Sequence, residues 1–310
     1  MKSEKGFYAG IDSGGTKCEV LLADSQLNII SSGKYKSTHY SVSGAGEFSD
    51  DVAHCILQEI KKARRNLSDC IRICIGAAGA REGSDRNAIT SALASLTGAR
   101  TRVTTDAMTA LAGSFGGGEG AILISGTGSV LYGLANDKLY RVGGWGRVIG
   151  DEGSGYWIGR RALNLISREY DEKKNGRGIS VLSRYISKEF SINRSNINSH
   201  IFKRDFALQS VAPVVLQSAA KGCSLSKKII DEAVDGLMWH IEAFIRISGV
   251  KSSFAIAFTG SIIENDNLLS RKLKCRIRKT GMIKVVERMY SPAYGAVLIA
   301  AGKFRERKIL

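Results

Sequence analysis

Proline is nearly absent from this 310-residue chain, and aromatic residues make up only 7% of it. Two prolines exclude a proline-rich linker or a collagen-like chain, and 44% hydrophobic residues are too many for a disordered one. No apolar run approaches the roughly 18 residues that a membrane-spanning helix needs. The charged first residues lack the apolar stretch and cleavage site of a secretory signal, so we expect a cytoplasmic protein without a membrane partner.

Cysteine and histidine are scarce as well, with six and four residues. None of the cysteines forms a CxxC pair, and no cysteine–histidine cluster has the spacing of a zinc site. We therefore expect reduced, mostly buried thiols and no histidine-rich metal site.

Acidic residues are outnumbered, with 29 Asp and Glu against 45 Lys and Arg, which gives a formal net charge of +16. Much of the excess lies between Arg246 and Leu310, where 14 residues are basic and 4 are acidic. No nucleic-acid-binding motif accompanies this charge, and few aromatic residues are interleaved with it. We therefore expect a solvated basic surface that attracts small anions at most, and no nucleic-acid partner.

One pattern, strand–glycine turn–strand, occurs in each half of the chain. An apolar strand reaches Asp12, turns at 13–16 and returns to Leu22; after a glycine-rich stretch at 116–120, a second strand turns at 125–129 and returns. Helical and strand-like spacing alternate around both, which indicates α/β layers. The sequence therefore predicts two similar domains facing a cleft, 1–115 and 116–310, with a last helix near 294–310 that could pack back on the first.

Both turns consist of small residues whose backbone N–H groups could surround a phosphate. Asp12, at a strand end, is a carboxylate suited to a hydrated Mg²⁺. The first turn alone could equally be a plain hairpin, but two in parallel positions favour a nucleotide between them. Neither a P-loop nor a dinucleotide-binding fingerprint is present. The candidate phosphate contacts are Gly14, Gly15, Thr16, Lys17, Gly126, Thr127, Gly128 and Ser129.

Three further segments carry candidate chemistry. Asp106 ends a short strand, where it could take a proton from an attacking hydroxyl or simply cap the next helix. Residues 141–157 combine glycines with Trp145, a flat ring, and Asp151, a hydroxyl acceptor; a tight structural loop is the alternative. A small-residue turn at Gly260–Ser261 could admit an adenine against the backbone, or be an ordinary turn.

Taken in order, these segments resemble the sugar kinase, Hsp70 and actin superfamily, and more narrowly the N-acetylglucosamine kinase and BadF/BadG/BcrA/BcrD ATPase family. The specific match is Gly-Gly-Trp-Gly at 143–146, Gly-Asp-Glu-Gly-Ser at 150–154 and Ile-Ser-Gly-Thr-Gly-Ser at 124–129. The resemblance is clear from Tyr8 to Gly159, and in the rest of the chain it depends on the order of the predicted elements. The resemblance implies two RNase H-like domains flanking an ATP cleft, and phosphoryl transfer from Mg·ATP to a sugar hydroxyl.

By position, the resemblance also implies roles for single residues. Asp106 matches the catalytic base, and Asp12 matches the acid that holds Mg²⁺ through water. Residues 14–17 and 126–129 match the two phosphate loops, and Thr127 also approaches the sugar. The remaining matches are Gly144, Trp145 and Asp151 in the sugar pocket, and Gly260 and Ser261 at the adenosine.

Two departures from the family concern the substrate. Where N-acetylglucosamine kinases have an Asn on the sugar, this chain has Thr38 and His39; where they have an Asp soon after a Gly, it has Arg81. These candidate pocket residues favour a carboxylate, which Arg pairs bidentately. We therefore favour a sugar acid such as 2-keto-3-deoxygluconate. If Arg81 instead pairs with Glu82 or Asp85 in solvent, a neutral hexose or N-acetylglucosamine is the alternative.

Two other functions are open to such a chain. An ATPase that drives a partner protein, as in activators of radical dehydratases, would carry cysteines spaced for an iron–sulfur cluster, and the cysteines here are spaced differently. A sugar-binding regulator would add a DNA-binding segment, and no helix-turn-helix precedes Tyr8. The expected partners are therefore ATP and a small sugar or sugar acid, with a homodimer left open.

Overall fold

The computed structural model describes residues 6–14, 17–36, 40–80, 82–173, 178–203, 205–251 and 253–305. They form two compact units, each with a five-stranded sheet. Unit 1 comprises Met1–Gly120, Asp137–Leu139 and Glu287–Ile309; unit 2 comprises Ala121–Asn136, Tyr140–Val286 and Leu310.

The described residues form ten strands and ten α-helices. The strands are β1 (Phe7–Ser13), β2 (Lys17–Asp24), β3 (Ile29–Lys36), β4 (Cys70–Ala77), β5 (Thr101–Thr104), β6 (Gly120–Ser125), β7 (Ser129–Ala135), β8 (Lys138–Gly143), β9 (Phe254–Thr259) and β10 (Ile283–Val286). The helices are α1 (Tyr40–Lys62), α2 (Gly83–Thr97), α3 (Asp106–Ser114), α4 (Gly155–Glu172), α5 (Val181–Phe190), α6 (Ile197–Lys203), α7 (Ala212–Ala220), α8 (Ser224–Ser248), α9 (Leu268–Lys279) and α10 (Pro292–Ala300). None of these helices is long and apolar enough to cross a membrane.

The unit 1 sheet has the order β3-β2-β1-β4-β5, with β1 antiparallel to β2 and parallel to β4. Alternating side chains of β1, including Phe7 and Ile11, pack on one face against Val52 and Ile56 of α1. On the other face, α10 packs Val297 and its neighbours against β2. Helices thus cover both faces, and the carboxyl ends of β1, β4 and β5 meet at one edge of the sheet.

Helix α1 begins earlier than its sequence pattern indicates. Apolar spacing predicts a helix from Glu47 to Asn66, whereas α1 runs from Tyr40 and is kinked at Gly44, whose φ of 73° and ψ of −178° are not helical. The residues before the kink lack the periodic apolar stripe, because this first turn is largely exposed. Their helical form therefore left no signal in the hydrophobic pattern.

The unit 2 sheet has the order β10-β9-β6-β7-β8, and β9 runs parallel to both β6 and β10. Its core joins apolar side chains of the sheet, such as Leu123 and Ile256, to those of α4 and α8, such as Ile158 and Phe244. This packing fixes the end of β6 beside the end of β9, where two of the predicted glycine turns begin.

One carboxylate lies entirely inside unit 1. Glu59 of α1 has 0% exposed surface and accepts hydrogen bonds from the hydroxyls of Ser31 and Tyr35 on β3. The ammonium of Lys62, one turn further on, is 3.5 Å from the same carboxylate. Burial, and then the bond to Glu59, raise the pKa of Tyr35. The edge strand β3 is thereby tied to α1 by polar contacts.

We expect Glu59→Ala to destabilise unit 1 by about 2–4 kcal/mol, because two inward-facing hydroxyls lose their acceptor. Glu47→Ala removes an exposed acid of the same helix and should change the free energy of unfolding by less than about 0.5 kcal/mol. Urea unfolding followed by far-UV circular dichroism measures both.

All three tryptophans, Trp145, Trp157 and Trp239, lie in unit 2. An unchanged fluorescence transition would therefore locate the loss in unit 1. A Glu59→Ala protein as stable as the parent by circular dichroism would contradict the prediction.

Candidate functional site

Asp12 and Asp106 lie at the same edge of the unit 1 sheet. Asp12 pairs in register with Gly76 of β4, and Gly76 pairs with Thr104 of β5. Asp106 begins α3 two residues later. The carboxyl ends of parallel strands are where α/β proteins bind ligands. Both predicted carboxylates are therefore positioned at the binding edge of this sheet.

The half-buried carboxyl of Asp12 has a pKa raised to about 7. Burial is the largest cause, followed by the charges of Asp106 and Glu19, while Arg288 opposes them. Glu19 stands directly opposite Asp12 on β2. Neither Glu19 nor Arg288 belongs to a motif that predicts a role at this site. The antiparallel hairpin pairing could have indicated Glu19, but no local signal could have indicated Arg288.

Asp106 is exposed on the first turn of α3. The helix cap is Thr105, whose side chain accepts a hydrogen bond from the backbone N–H of Met108 at 3.4 Å. The alternative that Asp106 is merely the cap is therefore wrong. One carboxylate oxygen, Oδ1, accepts from the backbone N–H of Ala107 at 2.9 Å, which fixes the direction of the group.

The first glycine turn is closed by a hydrogen bond from the N–H of Gly14 to the carbonyl of Lys17, at 2.9 Å. Lys17 is exposed. The other two predicted phosphate contacts of this turn, Gly15 and Thr16, lie outside the described residues.

The three predicted substrate residues of unit 1, Thr38, His39 and Arg81, also lie outside the described residues. Near them in the sequence, the hydroxyl of Tyr40 donates a hydrogen bond to Oδ1 of Asp85 at 2.8 Å. Asp85 was one of the two alternative partners considered for Arg81, and its carboxylate already binds Tyr40.

In unit 2, the turn between β6 and β7 is bonded to the start of α4. Gly126 donates its N–H to the carbonyl of Gly128 at 3.0 Å, which closes the turn. The N–H groups of Gly155 and Tyr156 donate to the carbonyls of Gly126 and Thr127, at 2.7 and 3.3 Å. Thr127 is exposed at the tip of the turn. The first N–H groups of α4 thus hold the predicted phosphate loop in shape.

The predicted adenosine turn meets the same loop. Gly260 has a φ of 99°, and a Cβ built on it would lie 2.4 Å from the carbonyl oxygen of Ser125. That oxygen accepts the N–H of Ile262 at 3.0 Å, while the N–H of Gly260 donates to a carboxylate oxygen of Glu264 at 3.2 Å. Only glycine fits such a backbone approach. The structure therefore brings Gly260 and Ser261 beside residues 125–128.

Asp151 lies against the other side of this loop. It has a φ of 59°, which is uncommon for a residue with a side chain, and is 8% exposed. A Cβ on Gly128 would lie 2.9 Å from its Oδ2. The hydroxyl of Ser129 donates to the carbonyl of Glu152 at 2.7 Å, which ties the two segments together. Strained backbone of this kind clusters at functional sites.

Trp145, one of the predicted sugar-pocket residues, has 70% of its surface accessible. It follows Gly143 and Gly144, whose φ values are 75° and 71°. This segment connects the end of β8 to the turn that carries Asp151. The motifs of unit 2 thus mark the segment that carries Trp145 and Asp151 but not the side chains that support this segment.

Two α/β units with mixed five-stranded sheets define the two-domain, actin-like fold of sugar kinases. The crystal structure of a candidate N-acetylglucosamine kinase from Chromobacterium violaceum is similar, with a TM-score of 0.75 and 24% identity over 95% of this chain and 99% of that one. The predicted fold class is confirmed.

The chain belongs to the BadF/BadG/BcrA/BcrD ATPase family, whose model matches residues 9–300. It is 31% identical to an N-acetylmuramic acid/N-acetylglucosamine kinase of Clostridium acetobutylicum, over 95% of this chain and 98% of that protein. It is 27% identical to an N-acetyl-D-glucosamine kinase of Dictyostelium discoideum, over 96% and 98%. The resemblance drawn from the motifs is thereby confirmed.

We expect Asp106→Asn to lower the pKa of Asp12 from about 7, because Asp106 is the charge that raises it most. Burial remains, so the pKa should stay above its ordinary value of about 4. Arg288→Met should change it in the opposite direction. Carbon-13 NMR titration of the aspartate carboxyls, without nucleotide or metal, measures all three proteins.

Glu47→Gln removes an exposed acid of the same unit and should leave the pKa of Asp12 unchanged. Folding raises the pKa of Asp12, so between about pH 4 and 7 the folded state keeps a proton that the unfolded chain has released. The contribution of Asp12 to the free energy of unfolding is therefore present below about pH 4 and is lost as the pH rises to about 7. An Asp12 resonance that titrates identically in the parent and in Asp106→Asn would contradict the assignment.

Proposed function

We propose that this protein is an ATP-dependent kinase that phosphorylates a hydroxyl of an amino sugar, either N-acetylglucosamine or N-acetylmuramic acid. The observation that carries the proposal is the similarity, along almost the whole of both chains, to a kinase named for these two sugars. The described geometry supports it, since unit 1 presents an exposed carboxylate at a strand end and unit 2 presents a glycine loop beside a second glycine turn.

The expectation of 2-keto-3-deoxygluconate receives no support from the relatives, which are kinases named for amino sugars. The reasoning behind it still applies to one of their substrates. N-acetylmuramic acid is N-acetylglucosamine with a lactyl ether, and its carboxylate is a group that Arg81 could pair with. We therefore take N-acetylmuramic acid as the acidic candidate and N-acetylglucosamine as the neutral one.

The nucleotide would bind through backbone contacts. Residues 126–129 would face the phosphates, and the turn at Gly260 and Ser261 would receive the adenosine. Lys17 of unit 1 would add a cation beside the turn that the N–H of Gly14 closes. The proposed sugar contacts in unit 2 are the hydroxyl of Thr127, the ring of Trp145 and the carboxylate of Asp151, which can accept from a sugar hydroxyl.

The donor set of unit 1 fits Mg²⁺. Asp12 is half-buried, with two further carboxylates raising its pKa, and a cation beside it would relieve that repulsion. Magnesium needs only one or two protein carboxylates, because water and phosphate oxygens complete its coordination. We propose that Asp12 holds the ion through water, and that the bound ion would neutralise phosphate charge.

Asp106 would act as the general base. Phosphoryl transfer is catalysed mainly by positioning and by electrostatic stabilisation. The oxygen that accepts from the N–H of Ala107 is already oriented, so the carboxylate is held in one direction. It would align the sugar hydroxyl and take its proton as the oxygen attacks the terminal phosphorus.

A coupled ADP-release assay with Mg·ATP tests the activity. We expect turnover with N-acetylglucosamine, N-acetylmuramic acid or both, above glucose, glucosamine and 2-keto-3-deoxygluconate. Asp106→Asn should lower kcat by about 10²- to 10⁴-fold, with a smaller effect on KM, because it removes the base but keeps the shape. Glu47→Gln serves as the matched acid-to-amide control.

Full turnover by Asp106→Asn would contradict its role as the base. ATP hydrolysis that no sugar stimulates would contradict the kinase proposal and favour an ATPase that drives a partner protein.

Arg81→Ala tests the choice between the two sugars. We expect it to raise KM for N-acetylmuramic acid by about tenfold or more, because a charge-assisted pair with the lactyl carboxylate is lost. KM for N-acetylglucosamine should change by less than about twofold. Arg100→Ala, which removes an exposed arginine of unit 1, serves as the control. Equal effects on both sugars would contradict a carboxylate contact.

A further inference from the structure

We infer that Arg141 is a positioning residue of the sugar site: its guanidinium holds the Gly143–Trp145 turn and sets the orientation of the Trp145 ring. The inference rests on the proposed function, since it takes Trp145 to be a sugar contact. Neither the motifs nor the relatives' names assign Arg141 a role.

One side chain contacts three consecutive residues of the turn. Nε of Arg141 donates to the carbonyl of Gly143 at 3.2 Å, and Nη2 donates to the carbonyl of Gly144. The guanidinium carbon lies 5.4 Å from the ring centroid of Trp145, within cation–π range. Because Arg141 lies on β8, a strand of the unit 2 sheet, these contacts link the turn to a rigid element.

The turn needs such support because its backbone is unusual. Gly143 and Gly144 are both left-handed, and their surroundings leave no room for side chains. A Cβ on Gly143 would lie 2.0 Å from Nε2 of His240, and one on Gly144 would lie 2.9 Å from Cγ2 of Val130. Positions 143 and 144 therefore cannot carry side chains that would pack against the turn. The hydrogen bonds from the guanidinium of Arg141 hold the carbonyls of Gly143 and Gly144 instead.

Trp145 itself is 70% exposed, so core packing does not fix its ring. With the guanidinium over one face, the opposite face is left for the apolar face of a sugar. An immobilised ring loses less entropy on binding, which raises affinity without new contacts. Arg141 should therefore affect the binding of any sugar that stacks on Trp145, whether or not that sugar carries a carboxylate.

Arginine is suited to this role in a way that lysine is not. Its planar fork can serve two carbonyls while its face remains over a ring, whereas a lysine ammonium is a point charge on a flexible stem. Arg141→Lys should therefore recover only part of what Arg141→Met loses.

We expect Arg141→Met to raise KM for the sugar by about 10- to 50-fold, from the lost hydrogen bonds and ring contact. The rise should be equal for neutral and acidic sugars, and kcat should stay within about threefold. Trp145→Ala should raise KM by a similar factor. The double variant should have a KM little higher than that of Trp145→Ala alone, because both substitutions disrupt the same contact between Arg141 and Trp145. Lys221→Met removes another cation–π pair of unit 2, with Tyr185, and should leave KM unchanged.

A spectroscopic measurement separates positioning from mere stability. In a Trp157→Phe, Trp239→Phe background, the fluorescence of Trp145 should shift on Arg141→Met in the absence of sugar. Its quenching by sugar should then require a higher sugar concentration. If Arg141→Met fails to fold, Arg141→Lys provides the same two readouts with smaller changes.

The outcomes also distinguish failure of the inference from failure of the proposed function. If Trp145→Ala and Asp106→Asn both impair turnover while Arg141→Met matches the parent, the inference alone is overturned. A rise in KM confined to N-acetylmuramic acid would also overturn it, because Arg141 would then bind the carboxylate directly. If no sugar is phosphorylated by the parent, the proposed function fails, and a Trp145 spectrum unchanged by Arg141→Met would independently refute the positioning role.

Discussion

The close approach of backbone to backbone around the β6–β7 turn is the constraint on which the candidate site of unit 2 depends. The carbonyl of Ser125 accepts the N–H of Ile262, and a side chain on Gly260 would lie 2.4 Å from that oxygen. On the other side, the first N–H groups of α4 are bonded to the turn's carbonyls. A loop held this way keeps its shape without ligand, so little reorganisation is needed when a phosphate binds. Glycine is required at Gly260 for steric reasons, whatever chemistry the site performs.

In unit 1, the candidate site depends on the burial of Asp12 and on the charged side chains around it. Burial of Asp12, and then the charges of Asp106 and Glu19, raise the pKa of Asp12 to about 7, so a negative charge on its carboxyl is unfavourable. Arg288 relieves part of this repulsion from a segment far away in the sequence. The negative charges of Asp106 and Glu19, which oppose a further anion at Asp12, would favour a cation beside it. Glu59 is buried more deeply than Asp12, but its carboxylate accepts from two hydroxyls and has an ammonium within reach.

The features that the sequence could predict are those encoded within a few residues. The hairpin around Asp12, the turn at 126–128 and the aromatic segment at 143–146 are local patterns, and each has the expected backbone. Three kinds of feature were missed. The cap of α3 is Thr105 rather than Asp106, because the Thr105 hydroxyl accepts a hydrogen bond from the N–H of Met108. The start of α1 carries no apolar stripe. His240 lies against Gly143, and Arg288 acts electrostatically on Asp12; both come from distant positions, and a single sequence contains no signal for such pairings. Glu264, four residues after Gly260, belongs to no motif that marks its bond to the N–H of Gly260.

The ring of His240 supports the turn at Gly143–Trp145 without adding a charge beneath it. Its Nδ1 is bonded to the carbonyl of Gly236 at 2.8 Å, and since a carbonyl only accepts, Nδ1 is the nitrogen that holds the proton of the neutral ring. Burial lowers the pKa of this ring, against the opposing effects of Gly236, Glu152 and Asp151. A neutral ring therefore lies under Gly143, and the charge at the turn is supplied by Arg141, from the side. Under the proposed function, the support of this turn would serve the ring of any hexose. Selection between a neutral and an acidic amino sugar should then depend on other side chains, and Arg81 and His39 are the two whose types depart from the family in that direction.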